Sequence, residues 1–167
     1  KGEYQITDPI QRLIEAGEPV APVEVSGWWK DTGKPEDILD ANRLLLMRAK
    51  RDLQGDVQGS QLVGEVVVGS GALVKDTTIF GPALIAPGAQ VVGSYIGPFT
   101  SVGEQCVIRD SEIEYSVVGA RTSIEGVGPR IQASLIGEEV RIAGHEGRPS
   151  THRLVVGDES TILLQEV

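Results

Sequence analysis

One short pattern returns along this chain often enough to limit what it can fold into. Val68-Gly-Ser-Gly-Ala72-Leu-Val74, Ile85-Ala-Pro-Gly-Ala89-Gln-Val91, Val102-Gly-Glu-Gln-Cys106-Val-Ile108 and Val118-Gly-Ala-Arg-Thr122-Ser-Ile124 are four copies of one heptad. A fifth copy begins at Ile136 and a sixth at Val156. Two further rows, Val74, Val91, Ile108, Ile124 and Ile79, Ile96, Ile113, Ile131, keep nearly the same step. From Val68 to Ile85, Val74 to Val91 and Ile79 to Ile96 that step is 17 residues. An aliphatic every five or six residues suits neither the 3.6 period of a helix nor the two-residue period of a long strand. It suits short strands broken at corners, with three flat sides to each turn. Self-similarity of this kind is the signature of a single-stranded parallel β-helix built on hexapeptide repeats, in which stacked coils bury one continuous apolar column. The aliphatics then point inward together with the small residue four places on: Ala72, Ala89, Cys106, Thr122, Val140 and Ser160. Gly81-Pro82 and Gly97-Pro98 fall at corners, where no ladder hydrogen bond is lost.

The composition agrees with a thin rod rather than a thick core, since aromatic residues make up only 4% while glycine occurs 21 times. A formal net charge of -9 opposes binding to nucleic acid, which depends on clustered Lys and Arg displacing counterions. The single cysteine, Cys106, excludes an internal disulfide and sits in the small inward row, so it is expected to pack. No run of about 18 apolar residues is present to span a membrane, and no signal peptide is visible, so the expected compartment is the cytoplasm. The chain opens at Lys1 and its only methionine is Met47, which leads us to expect a piece of a longer protein.

Three regions are expected: residues 1-50, a helix, strand, loop and helix; residues 51-61, a connector; and residues 62-167, the rod. In the first, Ile6 to Gly17 reads as a short helix with Asp8 capping its first turn, Gln11 completing a capping box and Gly17 ending it. Val20, Val23 and Val25 mark an extended piece. A second helix runs from Lys34 to Lys50, with Pro35, Glu36 and Asp37 in its first turn and Arg48 and Lys50 in its last. Its face of Ile38, Leu39, Asn42, Leu45, Leu46 and Ala49 is expected to cover the open end of the rod near Leu62 and Val63.

Between extended piece and helix lies Ser26-Gly27-Trp28-Trp29-Lys30-Asp31-Thr32-Gly33. A carboxylate following two indoles on such a turn can hold a hard cation that bridges phosphate oxygens; the alternative is that Asp31 caps the helix and the indoles are buried. Gly2-Glu3-Tyr4-Gln5-Ile6-Thr7-Asp8, the Gly27-to-Gly33 phrase and Ala41-Asn42-Arg43-Leu44 resemble the carboxyl-terminal part of sugar-1-phosphate nucleotidylyltransferases. Ser94-Tyr95-Ile96-Gly97-Pro98-Phe99-Thr100-Ser101, Ser111-Glu112-Ile113-Glu114-Tyr115-Ser116 and His152 to Asp158 resemble the rod of that family's long, thymidylyl-transferring branch. The resemblance spans essentially the whole chain. It implies a left-handed rod, although crossovers between parallel strands are otherwise right-handed. It also implies a Mg²⁺-dependent reaction in which a sugar 1-phosphate attacks the α-phosphorus of a nucleoside triphosphate: dTTP and glucose 1-phosphate, giving dTDP-glucose and pyrophosphate. By the same match Asp31 is a metal ligand, and Trp29 and Glu3 lie near the sugar. The family's glycine-rich nucleotide loop, its other metal aspartate and its sugar-phosphate lysine have no counterpart here, so this stretch alone is expected to be inactive.

Two other functions fit a hexapeptide rod. One is CoA-dependent acyl transfer, for which His145 and His152 are the only histidines to serve as base, in a loop that otherwise reads as a solvated excursion. The other is a structural module that assembles a homo-oligomer through its flat sides. Asp110, Glu112 and Glu114 read as solvated outer positions or guards against edge pairing.

Overall fold

The computed structural model describes residues 5–27, 29–144 and 161–162. The sixth copy of the repeat, from Val156, and both histidines lie outside them, save Thr161 and Ile162. The chain divides between Asp31 and Thr32 into two compact units.

In the second unit the repeat builds three parallel sheets of six, six and five strands. The first sheet takes Asp52–Leu53, Val66–Val68, Ala83–Ile85, Thr100–Val102, Val117–Val118 and Leu135–Ile136; the second takes Asp56–Gln58, Leu73–Lys75, Gln90–Val92, Val107–Arg109, Ser123–Glu125 and Arg141–Ala143. The third takes Gln61–Val63, Thr78–Phe80, Tyr95–Ile96, Glu112–Glu114 and Ile131–Gln132. Each strand pairs with the equivalent strand of the coils before and after it, so the chain visits the three sheets in rotation. This is the parallel β-helix expected from the repeat, and it accords with the left-handed hexapeptide form. Residues 51–61, expected as a connector, already carry two ladder strands, and the rod starts at Asp52.

Register lines the aliphatics up in columns. Val68, Ile85, Val102, Val118 and Ile136 are successive partners in the first sheet. Val57, Val74, Val91, Ile108, Ile124 and Ile142 stack in the second, and Leu62, Ile79, Ile96, Ile113 and Ile131 in the third. Strands of only two or three residues allow one or two inward side chains each, which is why the sequence period matches a whole side of the prism. The small inward row is buried as expected at Ala72, Ala89, Cys106 and Thr122.

Hydroxyls bind the corners in a way the repeat did not announce. Ser60, Thr77, Ser94 and Ser111 form a column in which each hydroxyl oxygen accepts from an amide of the next coil: Thr77 N–H to Ser60 at 3.1 Å, Ser94 N–H to Thr77 at 3.3 Å, Ser111 N–H to Ser94 at 3.3 Å and Val127 N–H to Ser111 at 3.0 Å. The hydroxyls of Ser60, Thr77, Ser94 and Ser111 also donate to the carbonyl two residues earlier in their own coil. A corner that would strand buried amides is thereby satisfied. One residue before each hydroxyl the backbone turns through positive φ, and Gly59, Asp76, Gly93 and Asp110 alternate there. A Cβ at Gly59 or Gly93 would lie 2.5 or 2.6 Å from the carboxylate oxygen of the aspartate one coil on. Glycine and aspartate are both suited to this backbone region, but two successive side chains do not fit.

Before the rod, helix α1 (Thr7–Glu15) forms without a side-chain cap. Asp8 lies inside its first turn rather than at its cap, and its amide bonds the Gln5 carbonyl at 3.0 Å. Gln11 reaches forward to Glu15 at 2.9 Å instead of completing a capping box. The helix does stop at Gly17, whose φ is 75°, with the Glu18 amide bonded to the Leu13 carbonyl at 3.0 Å, a Schellman closure. The expected strand is absent over residues 18–26, where Val20, Val23 and Val25 are exposed and no ladder partner is present among the described residues.

Helix α2 (Pro35–Leu46) starts on proline in its first turn, with Glu36 and Asp37 beside it, and ends before the expected Arg48 and Lys50. It does not cap the end of the rod near Leu62 and Val63. It lies along the side, against the Thr100–Val102 strand. The reason is written on the first sheet's outer face, where Val67, Leu84 and Val117 alternate with the buried core residues and are themselves half-buried. Leu39 and Leu46 are the two buried residues of the helix, while Leu45 stays 60% exposed.

Candidate functional site

The loop from Ser26 to Gly33 joins the two units, and Gly27 turns it at a φ of 101°. Trp29 is 72% exposed and Asp31 is exposed. Trp28 and Glu3 lie outside the described residues. Neither half of the alternative reading, a capping Asp31 and buried indoles, describes Asp31 and Trp29. The residue that opens α2 is Lys34, in extended conformation, and no side chain caps the helix. An apolar ring and a carboxylate left on the surface two residues apart require another explanation, because neither contributes to this fold.

A divalent cation needs several oxygen ligands. Asp31 is one carboxylate, and among the described residues no group of three or more His, Cys, Asp or Glu side chains is placed to hold a metal ion. The described residues therefore do not make a Mg²⁺ site by themselves.

Helix α2, just after this loop, is held firmly. Asn42, in its middle, donates its amide to the Phe99 carbonyl at 2.9 Å and accepts the Ser101 hydroxyl at 2.6 Å. Two residues earlier in the helix, Asp40 accepts the Tyr115 hydroxyl at 3.1 Å, and the Tyr115 ring meets Phe99 edge-on at 6.1 Å. By its spacing in the sequence Asn42 is one member of the helix's apolar stripe. The signal that spacing misses is the amide itself, set between Leu39 and Leu46, where an aliphatic side chain would leave a backbone carbonyl and a hydroxyl unpaired. We expect Asn42→Ala to weaken the seating of α2 by roughly 1–3 kcal/mol. Hydrogen exchange in α2 would then quicken by about 5- to 150-fold while the coils keep their protection; unaltered exchange in α2 would show that the leucines alone hold it.

Cys106 belongs to packing. It is fully buried, its thiol lies 2.9 Å from the Gly119 carbonyl, and burial pushes its pKa up from the ordinary thiol value against the opposing pull of nearby backbone groups. A thiol kept neutral and shielded is a poor nucleophile. Labelling by a disulfide reagent is therefore expected only after unfolding, and rapid labelling of the native rod would contradict its place in the prism.

Comparison with known proteins bears on the loop and the rod together. Residues 1–48 match the family model described as nucleotidyl transferase. The chain is 46% identical over 161 residues to the glucose-1-phosphate thymidylyltransferase of Streptomyces griseus, covering 96% of this chain and 45% of that protein. Against the glucose-1-phosphate thymidylyltransferase of Streptomyces antibioticus the identity is 43% over 166 residues, covering 99% of this chain and 46% of that one. The low-salt glycan biosynthesis nucleotidyltransferase Agl11 of Haloferax volcanii is 42% identical over 168 residues, covering 98% and 47%. The chain thus spans about half the length of these relatives.

Proposed function

We propose that this chain is part of a sugar-1-phosphate nucleotidylyltransferase that makes dTDP-glucose and pyrophosphate from dTTP and glucose 1-phosphate. In that transfer an oxygen of the sugar phosphate attacks the α-phosphorus, the bond to the bridging β-phosphate oxygen breaks, and pyrophosphate leaves. Such chemistry is governed by alignment and by stabilising charge on the phosphates. The observation that carries the reading is sequence identity near one position in two, running through loop and rod alike.

In this reading Asp31 supplies one carboxylate to a Mg²⁺ site whose other ligands come from outside the described residues. Bound Mg²⁺ would neutralise phosphate charge in the transition state. Trp29 offers an exposed indole face to the sugar, with Glu3 as a hydrogen-bond acceptor for its hydroxyls. The first unit supports the same reading in another way. Helix α1 buries none of its residues, although Ile6, Ile10, Leu13 and Ile14 form an amphipathic stripe. With Val20, Val23 and Val25 also exposed, that unit presents apolar surface suited to packing against further protein.

The 167 residues alone are proposed to be inactive, and the rod to serve assembly into a homo-oligomer or regulation; sedimentation as a monomer at high concentration would remove the assembly role. Such an enzyme would work in the cytoplasm, and no helix among the described residues is long and apolar enough to cross a membrane. The test is pyrophosphate release by the longer enzyme that contains this chain, supplied with Mg²⁺, glucose 1-phosphate and each nucleoside triphosphate in turn. Release fastest with dTTP is the expected result, and no release with any pair of nucleoside triphosphate and sugar 1-phosphate would end the reading. Acyl transfer by the rod gains no support from the described residues, since His145 and His152 lie outside them.

A further inference from the structure

One corner of the rod departs from the others. Between the second and third sheets the chain turns in two residues at Asp76-Thr77, Gly93-Ser94 and Asp110-Ser111, but after Ser123–Glu125 it takes five, Gly126 to Arg130. The extra residues lean over the outer face of the third sheet. Arg130 places its guanidinium 4.4 Å from the centre of the Tyr95 ring and bonds Glu112 at 2.9 Å and Glu114 at 2.7 Å. The Phe80 ring stands 6.0 Å from that of Tyr95. Together they border an open surface groove of about 950 Å³ whose lining includes Thr78, Phe80, Tyr95, Asp110, Glu112 and Arg130. Gly126 and Gly128 are also among its lining residues.

The lining says what kind of molecule fits. Two aromatic rings favour a ligand with an apolar face. The polar groups are mostly acceptors, and among the described residues the Asp110 carboxylate and the Thr78 hydroxyl make no hydrogen bond of their own. Such acceptors call for a ligand rich in donors. Asp110, Glu112 and Glu114 outnumber Arg130, whose charge Glu112 and Glu114 already hold, so a phosphate would be repelled. We propose that this groove binds a neutral sugar ring, stacked against Phe80 and hydrogen-bonded through its hydroxyls to Asp110, Thr78 and Glu112. The site belongs to the rod and does not rest on the nucleotidyl-transfer reading, which concerns Asp31.

The experiment titrates the isotopically labelled 167-residue chain with methyl α-D-glucopyranoside and, in parallel, with glucose 1-phosphate, monitoring backbone amide shifts. The expected result is perturbation by the glycoside at residues 78–80, 93–95, 110–112 and 126–130, with the phosphate binding more weakly. Phe80→Ala should weaken glycoside binding by about 3- to 10-fold through lost stacking, and Thr78→Val by about as much through a lost hydrogen bond. Preserved spectral dispersion identifies the variants that remain folded, and Thr78→Val keeps a β-branched residue on the strand should Phe80→Ala fail. No perturbation up to about 50 mM glycoside, far into the range of weak affinities, would overturn the proposal. So would perturbation confined to the Trp29 loop, or equal affinity for the phosphate.

Discussion

In the proposed longer enzyme, Asp31→Asn is expected to lower turnover by roughly 10²–10³-fold, the scale on which one preorganised electrostatic group at a transition state acts, and to leave the unfolding of the rod unchanged. The two halves of this expectation come from different observations. Asp31 is exposed, caps no helix and lies in the unit that precedes the rod, so an isosteric amide takes nothing from the fold. What changes is charge, and charge is what the proposed role requires. Normal Mg²⁺-dependent turnover by the variant would remove Asp31 from the metal site, and a drop in thermal stability matching the drop in rate would reassign it to structure.

Ile108→Ala is expected to cost the rod about 3–5 kcal/mol, at the upper end for an aliphatic truncated in a core that cannot collapse around the gap. Ile108 is wholly buried, with Val91 and Ile124 as its partners in the coils before and after, and short strands on all three sides leave little freedom to repack. In a solenoid each coil touches only its neighbours. Urea denaturation should therefore show the loss, while hydrogen exchange places it in the coils of Val91 and Ile124. Leu135→Ala, at an outward position 42% exposed, provides the control and should stay within about 0.5 kcal/mol. A loss at Ile108 no larger than at Leu135 would mean that the columns do not carry the stability of the rod.

Those columns are legible in the sequence because each inward position is held to one physical demand, an aliphatic of fixed size facing the axis, repeated coil after coil. Ile79, Ile96, Ile113 and Ile131 can be read off as a row from their spacing alone. The hydroxyl column cannot, because Ser60, Thr77, Ser94 and Ser111 look like ordinary turn residues until register shows each beneath an amide of the next coil. The rod begins earlier than its sequence suggests for a related reason: Leu53 and Val57 sit among Asp, Gln and Gly, which locally spell a linker, and only pairing with Val68 and Val74 makes them strands. Helix α2 is evident from its proline start, but its destination is not. The rod's open end is the obvious surface to cover, whereas the outward aliphatics Val67, Leu84 and Val117, which give a flank the character of a core, stand out only once the strands are in place. At the candidate site Trp29 and Asp31 are exposed, whereas among the described residues no group of three or more His, Cys, Asp or Glu side chains could hold a metal ion.

The alternation of Gly59, Asp76, Gly93 and Asp110 at one corner bears on how such a rod can change length. The inward aliphatic columns repeat with each coil, but along this edge the smallest interchangeable module is a pair. Inserting or deleting a single coil at that edge would bring two carboxylates, or two bare backbones, into succession, whereas gaining or losing two coils together would leave the edge as it was.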